Sequence, residues 1–476
     1  MTQVPLIARS ASELSALIAA REVSCLEVME AHLDRIAALN PVHNAIVAQR
    51  DGEVLLDEAR AADRDLAEGR YRGWLHGLPH GVKDLADAAG MKTTFGSPLF
   101  ADNVAGSDSL HVARIRAAGA IFVGKTNTPE FGLGSQSYNP VYGVTRNACD
   151  PALAAGGSSG GAAVALATGM LPSADGSDMM GSLRNPAAFN GIVGYRPSQG
   201  RVPAAPTDDA FYQQLAVNGP MGRTVEDVIR MLCTMAGPDP RAALARTDAL
   251  PAPEAFLPRE PSEVRVGWLG DFDGYLAMEA GVLDLCTAAL SALEASGCKV
   301  DSARSDFDPA RLWRAWLTLR QFGITRYRSL YDDADKRELL KPELRWEIEQ
   351  GMGLSAMDVA QAGAERNRWF AALLKLFERF DVLALPSAQV FPFAAETRWP
   401  ERIDNVAMDT YHRWMEVVIG GTLGGLPVVS LPAGRDPSGR EMGIQFMGPP
   451  GQDRRVLEFS LAYEQMCPWP AVPVAR

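Results

Sequence analysis

The chain has 476 residues, of which 47% are hydrophobic and 22% charged, and its formal net charge is -12. This acidic balance disfavours nucleic acid and anionic membranes as partners, because both are bound through basic patches. The length would accommodate about three domains, but no Pro/Ser-rich or charged linker divides the sequence. We therefore predict one large domain over 1–476 that acts on a small neutral molecule.

Two capping-box patterns predict that the chain begins with two helices. Ser10 is followed by Glu13 and Ser24 by Glu27, and each pair precedes an apolar-periodic stretch. We therefore assign 1–75 to N-terminal helices that pack on the core. The first residues lack a basic region followed by an apolar one, so we expect no secretory signal and predict a cytoplasmic protein.

Short apolar runs bounded by glycine or proline predict strands that alternate with helices. The predicted strands are 120–123, 264–269, 382–385 and 428–431, and a helix over 279–296 is expected to end at Gly297. Together they favour βαβ-like units and an α/β fold. Glycines and prolines interrupt the most apolar stretch, 417–434, which therefore predicts a buried strand and turns and no transmembrane helix.

The segment 156–186 is the most informative, because it places Ser158 and Ser182 each in a glycine-bearing turn. Glycine lets backbone N–H groups approach a ligand closely, and a serine hydroxyl can attack a carbonyl or relay a proton. A Gly/Ser run alone is more often a flexible linker. Here the run opens directly into the apolar stretch 162–171, which indicates a place in the core and favours acyl-transfer chemistry.

The same segment resembles the amidase signature family, whose pattern is GGSSGG, a short helix and then a turn of the form G-T-D-x-G-G-S-x-R-x-P. The likeness continues through His80–Ser97, Gly124–Asn147, Gly191–Pro203 and Gly424–Gly434. It covers nearly the whole chain and implies a large mixed β-sheet flanked on both faces by α-helices. We expect the signature core in 76–205, a variable substrate-pocket region in 206–380 and a return to the sheet in 381–476.

Carried over by position, the resemblance makes Ser182 the nucleophile, Ser158 the bridging serine and Lys83 the terminal base of a Ser-Ser-Lys triad. A lysine acts as a base only when neutral, so burial must lower its pKa from about 10.4. Lys125 also follows an apolar run and is the alternative base, but the family match favours Lys83. The resemblance further implies a cis peptide bond between Gly157 and Ser158.

The expected oxyanion hole is formed by the backbone N–H groups of Met179, Met180, Gly181 and Ser182. The chain departs from the family at Met180, where most relatives have glycine. We expect Met179 or Met180 to line an apolar acyl or aryl pocket, and filling a gap in the core is the alternative. The expected structural supports are Asp178 and Arg184, which can form a charge-assisted hydrogen bond, and Gly157.

Specificity in this family varies outside the signature, so part of the substrate pocket is expected there. The candidates for substrate contact are Met180, Gly134, Ser135, Phe211, Tyr212 and Trp316. Phe211 and Tyr212 lie in an insertion-like segment, 206–215. Trp316 lies in an aromatic stretch, 312–331, for which core packing is the alternative.

The sequence indicates no cofactor and no metal. It has no HExxH, no CxxC, no P-loop and no strand-linked GxGxxG, and glycine and proline separate His76 from His80. The six cysteines are scattered and indicate reduced thiols. We therefore expect a metal-independent mechanism.

We predict an amidase that cleaves the C–N bond of a hydrophobic or aryl carboxylic amide through an acyl-enzyme. An aryl carbamate or ester hydrolase is the alternative within this class. A glutaminase-type subunit of a tRNA-dependent amidotransferase complex is the alternative from another class. A catalytically inactive binding module is disfavoured, because Lys83, Ser158 and Ser182 are all present. The expected partner is a small-molecule amide, and the sequence leaves a homodimer open.

Overall fold

The structure is a computed structural model that describes residues 4–205, 209–212 and 215–469. Its α-helices in these ranges are α1 (Ala11–Ala19), α2 (Cys25–His43), α3 (Gly52–Ala67), α4 (Leu110–Ala117), α5 (Gly160–Ala167), α6 (Arg184–Asn190), α7 (Val225–Met235), α8 (Val282–Ala295), α9 (Pro309–Ile324), α10 (Arg328–Asp332), α11 (Ala334–Leu339), α12 (Pro342–Met352), α13 (Ala356–Phe377), α14 (Ile419–Leu423) and α15 (Asp453–Met466). Its strands are β1 (Ile46–Val47), β2 (Pro79–Lys83), β3 (Ile121–Thr126), β4 (Tyr138–Asn139), β5 (Gly143–Val144), β6 (Ser173–Asp178), β7 (Val193–Arg196), β8 (Val217–Gly222), β9 (Arg265–Trp268), β10 (Lys299–Ser302), β11 (Val382–Pro386), β12 (Arg402–Ile403), β13 (Val406–Ala407), β14 (Val428–Arg435) and β15 (Glu441–Met447).

The first two helices begin at the two predicted capping boxes. The Ser10 side chain accepts the N–H of Glu13, and the Glu13 carboxylate accepts the N–H of Ser10. Ser24 and Glu27 form the same reciprocal pair at the start of α2. Each box satisfies N–H groups that the first turn of a helix leaves without an intrahelical partner. The prediction of two N-terminal helices is confirmed.

The described strands include an eleven-stranded mixed sheet in the order β1-β3-β2-β6-β8-β7-β14-β15-β11-β9-β10. The parallel pairs are β2 with β3, β2 with β6, β9 with β10 and β9 with β11, and the other neighbours are antiparallel. The four predicted strands are found as β3, β9, β11 and β14. The predicted helix is α8, which ends at Ala295. Gly297, which follows it, has a φ of 106°. The α/β fold is confirmed.

The apolar stretch 417–434 is buried and contains β14, as predicted, together with the short helix α14. None of the helices in the described ranges combines the length and the apolar character that a membrane span requires. The stretch is therefore part of the sheet and of the packing beside it.

Strand ends bring the two serine turns to one edge of the sheet. β2 ends at Lys83, and its parallel neighbour β6 ends at Asp178, immediately before the second turn. The first turn precedes α5, whose N-terminal residue is Gly160. Ligand sites in open α/β sheets lie outside the carboxyl ends of the strands, so this edge is where a site is expected.

Candidate active site

One cavity of about 320 Å³ joins the two serine turns. Among the predicted site residues, its wall contains Ser158, Met179, Met180, Ser182, Gly134 and Ser135. Lys83 lies behind this wall and is only 1% exposed. The structure therefore brings the three residues of the predicted triad into one region, with both hydroxyl-bearing residues on the cavity and the amine beneath them.

The amine of Lys83 is held by serine hydroxyls. Its Nζ lies 2.8 Å from the Oγ of Ser158 and 2.8 Å from the Oγ of Ser159. Burial lowers the pKa of Lys83 to about 7, although the carboxylates of Asp175 and Asp178 act in the opposite direction. A substantial share of Lys83 is therefore neutral near pH 7, in the form that can accept a proton from Ser158.

The alternative base, Lys125, lies on the opposite face of the sheet. Strand register pairs Lys125 with Val82 and Thr126 with Lys83, and successive side chains of a strand point to opposite faces. Lys125 is fully buried, burial lowers its pKa, and its Nζ donates to the carbonyl of Ala86. The geometry favours a structural role for Lys125 and leaves Lys83 as the lysine in contact with Ser158.

The first serine turn packs directly on the second. The peptide bond between Gly157 and Ser158 is cis, as the resemblance implies. A Cβ at Gly157 would lie 3.0 Å from the backbone nitrogen of Gln136, so the close packing of two backbone segments favours glycine here. The N–H of Ser159 donates to the carbonyl of Ser182 at 3.1 Å. This bond ties the two turns to each other.

The second turn is built around the carboxylate of Asp178. It accepts two hydrogen bonds from Arg184, from Nε and from Nη2 at 3.0 Å each, and both side chains are fully buried. It also accepts the N–H of Gly181 at 2.9 Å and that of Leu183 at 3.2 Å. Burial favours the neutral carboxyl, but the charges of Arg184 and Arg196 overcome this and lower the pKa of Asp178. The expected charge-assisted pair is present.

The amide of Gly181 differs from its predicted role, because it points to Asp178 and not to the cavity. The N–H groups of Met179, Met180 and Ser182 have no hydrogen-bond partner within the described ranges, and all three residues line the cavity. Three of the four predicted amides are therefore available to an anionic oxygen. Gly181 has a φ of 77°, which fits its glycine identity, whereas Met180 does not have positive φ.

Met180 fills a core position and lines the cavity at the same time. Its side chain is 5% exposed and belongs to a hydrophobic cluster with Trp414, Met415 and Val418. It also forms part of the wall beside Ser182. The two alternatives for this methionine are thus combined, because one face of the side chain packs while another bounds the cavity.

Three of the predicted substrate contacts lie away from the cavity wall. Phe211 and Tyr212 are 65% and 74% exposed, and residues 206–208 and 213–214 of their segment lie outside the described residues. Trp316 is fully buried in a hydrophobic cluster, as its core-packing alternative predicts. Substrate contact by these three stays a prediction without support from the geometry. Neighbouring residues of the same two segments do line the cavity: Asp209, Ala210, Arg320, Ile324 and Tyr327.

Sequence reasoning missed the groups that surround Lys83. The Oγ of Ser177 lies 3.1 Å from Nζ, in addition to the hydroxyl of Ser159. Beneath them, the buried carboxylate of Asp175 lies between two imidazoles, with the Nε2 of His111 at 3.3 Å and the Nε2 of His80 at 3.5 Å. The available signal was a carboxylate in the middle of β6, a strand whose other residues are small except for Asp178 at its end. Its partners come from distant segments and left no local pattern.

Comparison with known proteins identifies the family. The family described as Amidase matches residues 27–457. The chain belongs to the amidase signature family. It is therefore an enzyme, a hydrolase that acts on amide C–N bonds.

The relatives of this amidase signature enzyme match it over nearly its whole length. An acylamidase of Rhodococcus erythropolis is 33% identical over 471 residues, which are 98% of each chain. A glutamyl-tRNA(Gln) amidotransferase subunit of Acidothermus cellulolyticus is 35% identical over 495 residues, covering 96% of this chain and 94% of the relative. The crystal structure of a bacterial aryl acylamidase superposes with a TM-score of 0.92 at 26% identity and covers 99% of this chain and all of its own.

Proposed function

We propose that this enzyme hydrolyses hydrophobic or aryl amides with Ser182 as nucleophile, Ser158 as proton relay and Lys83 as base. The observation that carries the proposal is the 2.8 Å contact between the Lys83 Nζ and the Ser158 Oγ, with Ser158 and Ser182 on the same cavity. Neutral Lys83 takes the proton of Ser158, Ser158 takes that of Ser182, and the Ser182 Oγ attacks the amide carbonyl carbon.

Charge develops on the carbonyl oxygen as the tetrahedral intermediate forms. The free amides of Met179, Met180 and Ser182 are proposed to donate to this oxygen, as fixed donors that need no reorganisation during the step. The hydrogen bonds from Gly181 and Leu183 to Asp178 hold the backbone of the turn in place. Gly181 therefore supports the oxyanion hole without donating to it.

The intermediate collapses when the C–N bond breaks and the leaving nitrogen takes the proton that passed to Lys83. The product at this stage is an ester between Ser182 and the acyl group. Water then attacks this ester carbonyl, and its proton follows the same route through Ser158 to Lys83. The carboxylic acid leaves, and the hydroxyl of Ser182 is restored.

The side chains of the cavity favour a hydrophobic or aryl substrate. Apolar and aromatic residues cover much of its wall, namely Leu85, Phe95, Phe131, Leu133, Met180 and Ile324. Gly134 and Ser135 offer backbone and hydroxyl groups beside them. The names of two relatives, an acylamidase and an aryl acylamidase, agree with this class. Because the acyl chemistry is shared, an aryl carbamate or ester is a candidate substrate for the same site.

A role within an amidotransferase complex is the second candidate function, and the 35% identity to a glutamyl-tRNA(Gln) amidotransferase chain favours it. In that case the site would release ammonia from glutamine, and partner chains would be required. Met180 lines the cavity and counts against it, because the resemblance places glycine at this position in most relatives. Homodimer formation and a cytoplasmic location stay predictions from the sequence.

The experiment that tests the proposal measures hydrolysis of an acyl-p-nitroanilide, a primary aliphatic amide, an aryl carbamate and glutamine by the purified protein. Ser182→Ala should lower turnover by about 10³-fold or more. The matched control is Ser198→Ala, at a buried serine outside the cavity wall, which should keep activity. Preference for glutamine, or activity that appears only with added partner chains, would favour the amidotransferase role. Full activity of Ser182→Ala would refute the serine mechanism.

A further inference from the structure

A buried arginine lines the cavity beside the nucleophile turn. Arg320 lies in α9, is 4% exposed and shares the wall with Ser182 and Met179. Burying a guanidinium costs free energy unless it is paired and hydrogen-bonded. The contacts of Arg320 therefore decide what it can offer to a substrate.

Two neighbours fix the orientation of the guanidinium. Its Nε lies 2.5 Å from the Oε1 of Glu347, and its Nη2 lies 2.7 Å from the hydroxyl oxygen of Tyr411. The Tyr411 hydroxyl in turn donates to the same Glu347 oxygen at 2.7 Å. Arg320, Glu347 and Tyr411, which we call the Arg320 cluster, close a ring of hydrogen bonds. Such a ring holds the planar group in one position before any substrate arrives.

The third nitrogen has a weak acceptor. The Nη1 of Arg320 lies 3.3 Å from the Sδ of Met179. A thioether sulfur accepts hydrogen bonds poorly, and the methionine side chain is unbranched and moves easily. An oxygen acceptor that enters the cavity can therefore replace the sulfur at low cost. Met179 is also a donor of the proposed oxyanion hole, so such an acceptor would lie near the reacting carbonyl.

The charge of the surroundings decides which acceptor fits. Glu347 balances the charge of Arg320 at a distance of 2.5 Å, and both side chains are almost fully buried. Burial lowers the pKa of His412, which also lines the cavity, so its ring is neutral. The wall also contains Asp209 and Arg326, whose formal charges are opposite, so a carboxylate on the substrate would add an uncompensated buried charge to this cluster. A neutral oxygen gains the hydrogen bond without that cost.

We propose that Arg320 sets the specificity of the site for amides that carry a second, neutral oxygen acceptor, an ether or carbonyl, in addition to the scissile carbonyl. This inference rests on the proposed function and deepens it. The Nη1 of Arg320 donates to that oxygen in place of the Met179 sulfur. Arg320 is thus a specificity-determining residue and takes no part in the transfer of protons.

The test uses two isosteric pairs in which an ether oxygen replaces a methylene group. The acyl pair is the anilides of β-methoxypropionic and pentanoic acid, and the aryl pair is para-methoxyacetanilide and para-ethylacetanilide. In the unmodified enzyme, kcat/KM for the oxygen-bearing member of at least one pair should exceed that of its partner by about tenfold, the size of one hydrogen bond to a charged donor. The pair that shows the preference tells on which side of the scissile bond Arg320 acts.

Two variants remove the donor in different ways. Arg320→Lys keeps the charge opposite Glu347 but loses the planar fork, and Arg320→Met with Glu347→Gln removes both charges, so that no buried carboxylate is left unpaired. In each, the ratio of kcat/KM within the preferred pair should fall to about one. Met179→Leu is the opposing control, because it removes the competing sulfur and keeps the backbone amide. Its ratio should equal or exceed that of the unmodified enzyme.

A binding measurement separates this inference from the proposed mechanism. Titration calorimetry of the same pairs on Ser182→Ala, with and without Arg320→Lys, gives the ratio of Kd values without turnover. Loss of the preference with Arg320→Lys supports the inference even if the serine mechanism fails. An equal preference with and without Arg320→Lys, no preference in either pair, or tighter binding of a carboxylate-bearing analogue than of the ether would overturn it.

Discussion

The Oδ1 of Asp175 accepts the backbone N–H of Lys83 at 3.0 Å. The two residues belong to neighbouring parallel strands, and Asp175 is buried below the cavity. Burial alone would raise the pKa of this carboxyl, but the hydrogen bond with His111 and the nearby imidazole of His80 lower it. Asp175 is therefore a permanent negative charge next to an amine that must be neutral to act, and it opposes the effect of burial on Lys83.

Replacing Asp175 should make Lys83 easier to deprotonate. Asp175→Asn removes the negative charge that raises the Lys83 pKa, so the acid limb of kcat/KM against pH should shift to lower pH. The carboxylate of Asp178 remains in this variant and still raises the Lys83 pKa, which limits how far the acid limb can shift. The pH profile should be measured at low substrate. Ser173→Ala, which removes the 3.0 Å contact of a hydroxyl with His80 but keeps Asp175, should leave the limb in place.

The unmodified enzyme should lose activity as the pH falls through about 7. Lys83 has a pKa of about 7, and its protonated form has no lone pair with which to accept the proton of Ser158. The profile of kcat/KM should therefore fall about tenfold for each pH unit on the acid side. Lys83→Met should be inactive at every pH. A profile without this limb, or retained activity of Lys83→Met, would show that another group is the base.

How far the sequence predicted this site depends on whether a local pattern carried the information. The serine turns, the capping boxes and the Asp178–Arg184 pair each lie within a short segment, and the structure contains all of them. The four predicted strands were recognisable because each contains a short apolar run, whereas the buried strands β2 and β6 contain none and were not predicted. A resemblance to a known family supplied Lys83, whose own surroundings, GVKDLA, are only partly apolar and do not by themselves indicate a base.

The parts that were not predicted depend on contacts between distant segments. Arg320 and Glu347 lie on separate helices, and a charged residue on a helix is ordinarily assigned to the solvent face. The amide of Gly181, a residue with a φ of 77°, donates to Asp178, and the sequence does not give the direction of this N–H group. Met180 had two alternatives, and only the packing with Trp414 and the cavity on its other side show that both apply.

Shortening Met180 should change which acyl groups the enzyme accepts. Met180→Gly removes a side chain from the wall beside Ser182, and the φ of this residue places no special demand on its identity. We expect kcat/KM to rise for branched or aryl acyl groups relative to acetyl, and stability to fall by roughly 2–5 kcal/mol because packed core volume is lost. Met180→Leu keeps the volume and should keep the profile. An unaltered acyl preference in Met180→Gly would show that this side chain does not bound the acyl site.

Removing the charge of Asp178 should destabilise the whole protein as well as the turn. Asp178→Asn leaves the buried guanidinium groups of Arg184 and Arg196 without their carboxylate, and breaking a buried pair in this way costs about 3–5 kcal/mol. Because the Asp178 pKa is lowered, its stabilising effect is present above the ordinary value of 3.8 and is lost as the pH falls below it. The free energies of unfolding of the unmodified protein and of Asp178→Asn should therefore differ at pH 7 and become similar in acid.

A surface pair provides the matched control for this change. Asp57 lies 2.7 Å from Arg60 on an exposed face of α3, so Asp57→Asn should alter the free energy of unfolding by less than about 1 kcal/mol. Denaturant unfolding of the unmodified protein, Asp178→Asn and Asp57→Asn at pH 7 gives the change in the free energy of unfolding that each substitution causes. If Asp178→Asn unfolds at the same denaturant concentration as Asp57→Asn, the buried pair does not stabilise the fold. A loss of activity in Asp178→Asn would then have to come from a local change in the direction of the Gly181 and Leu183 amides.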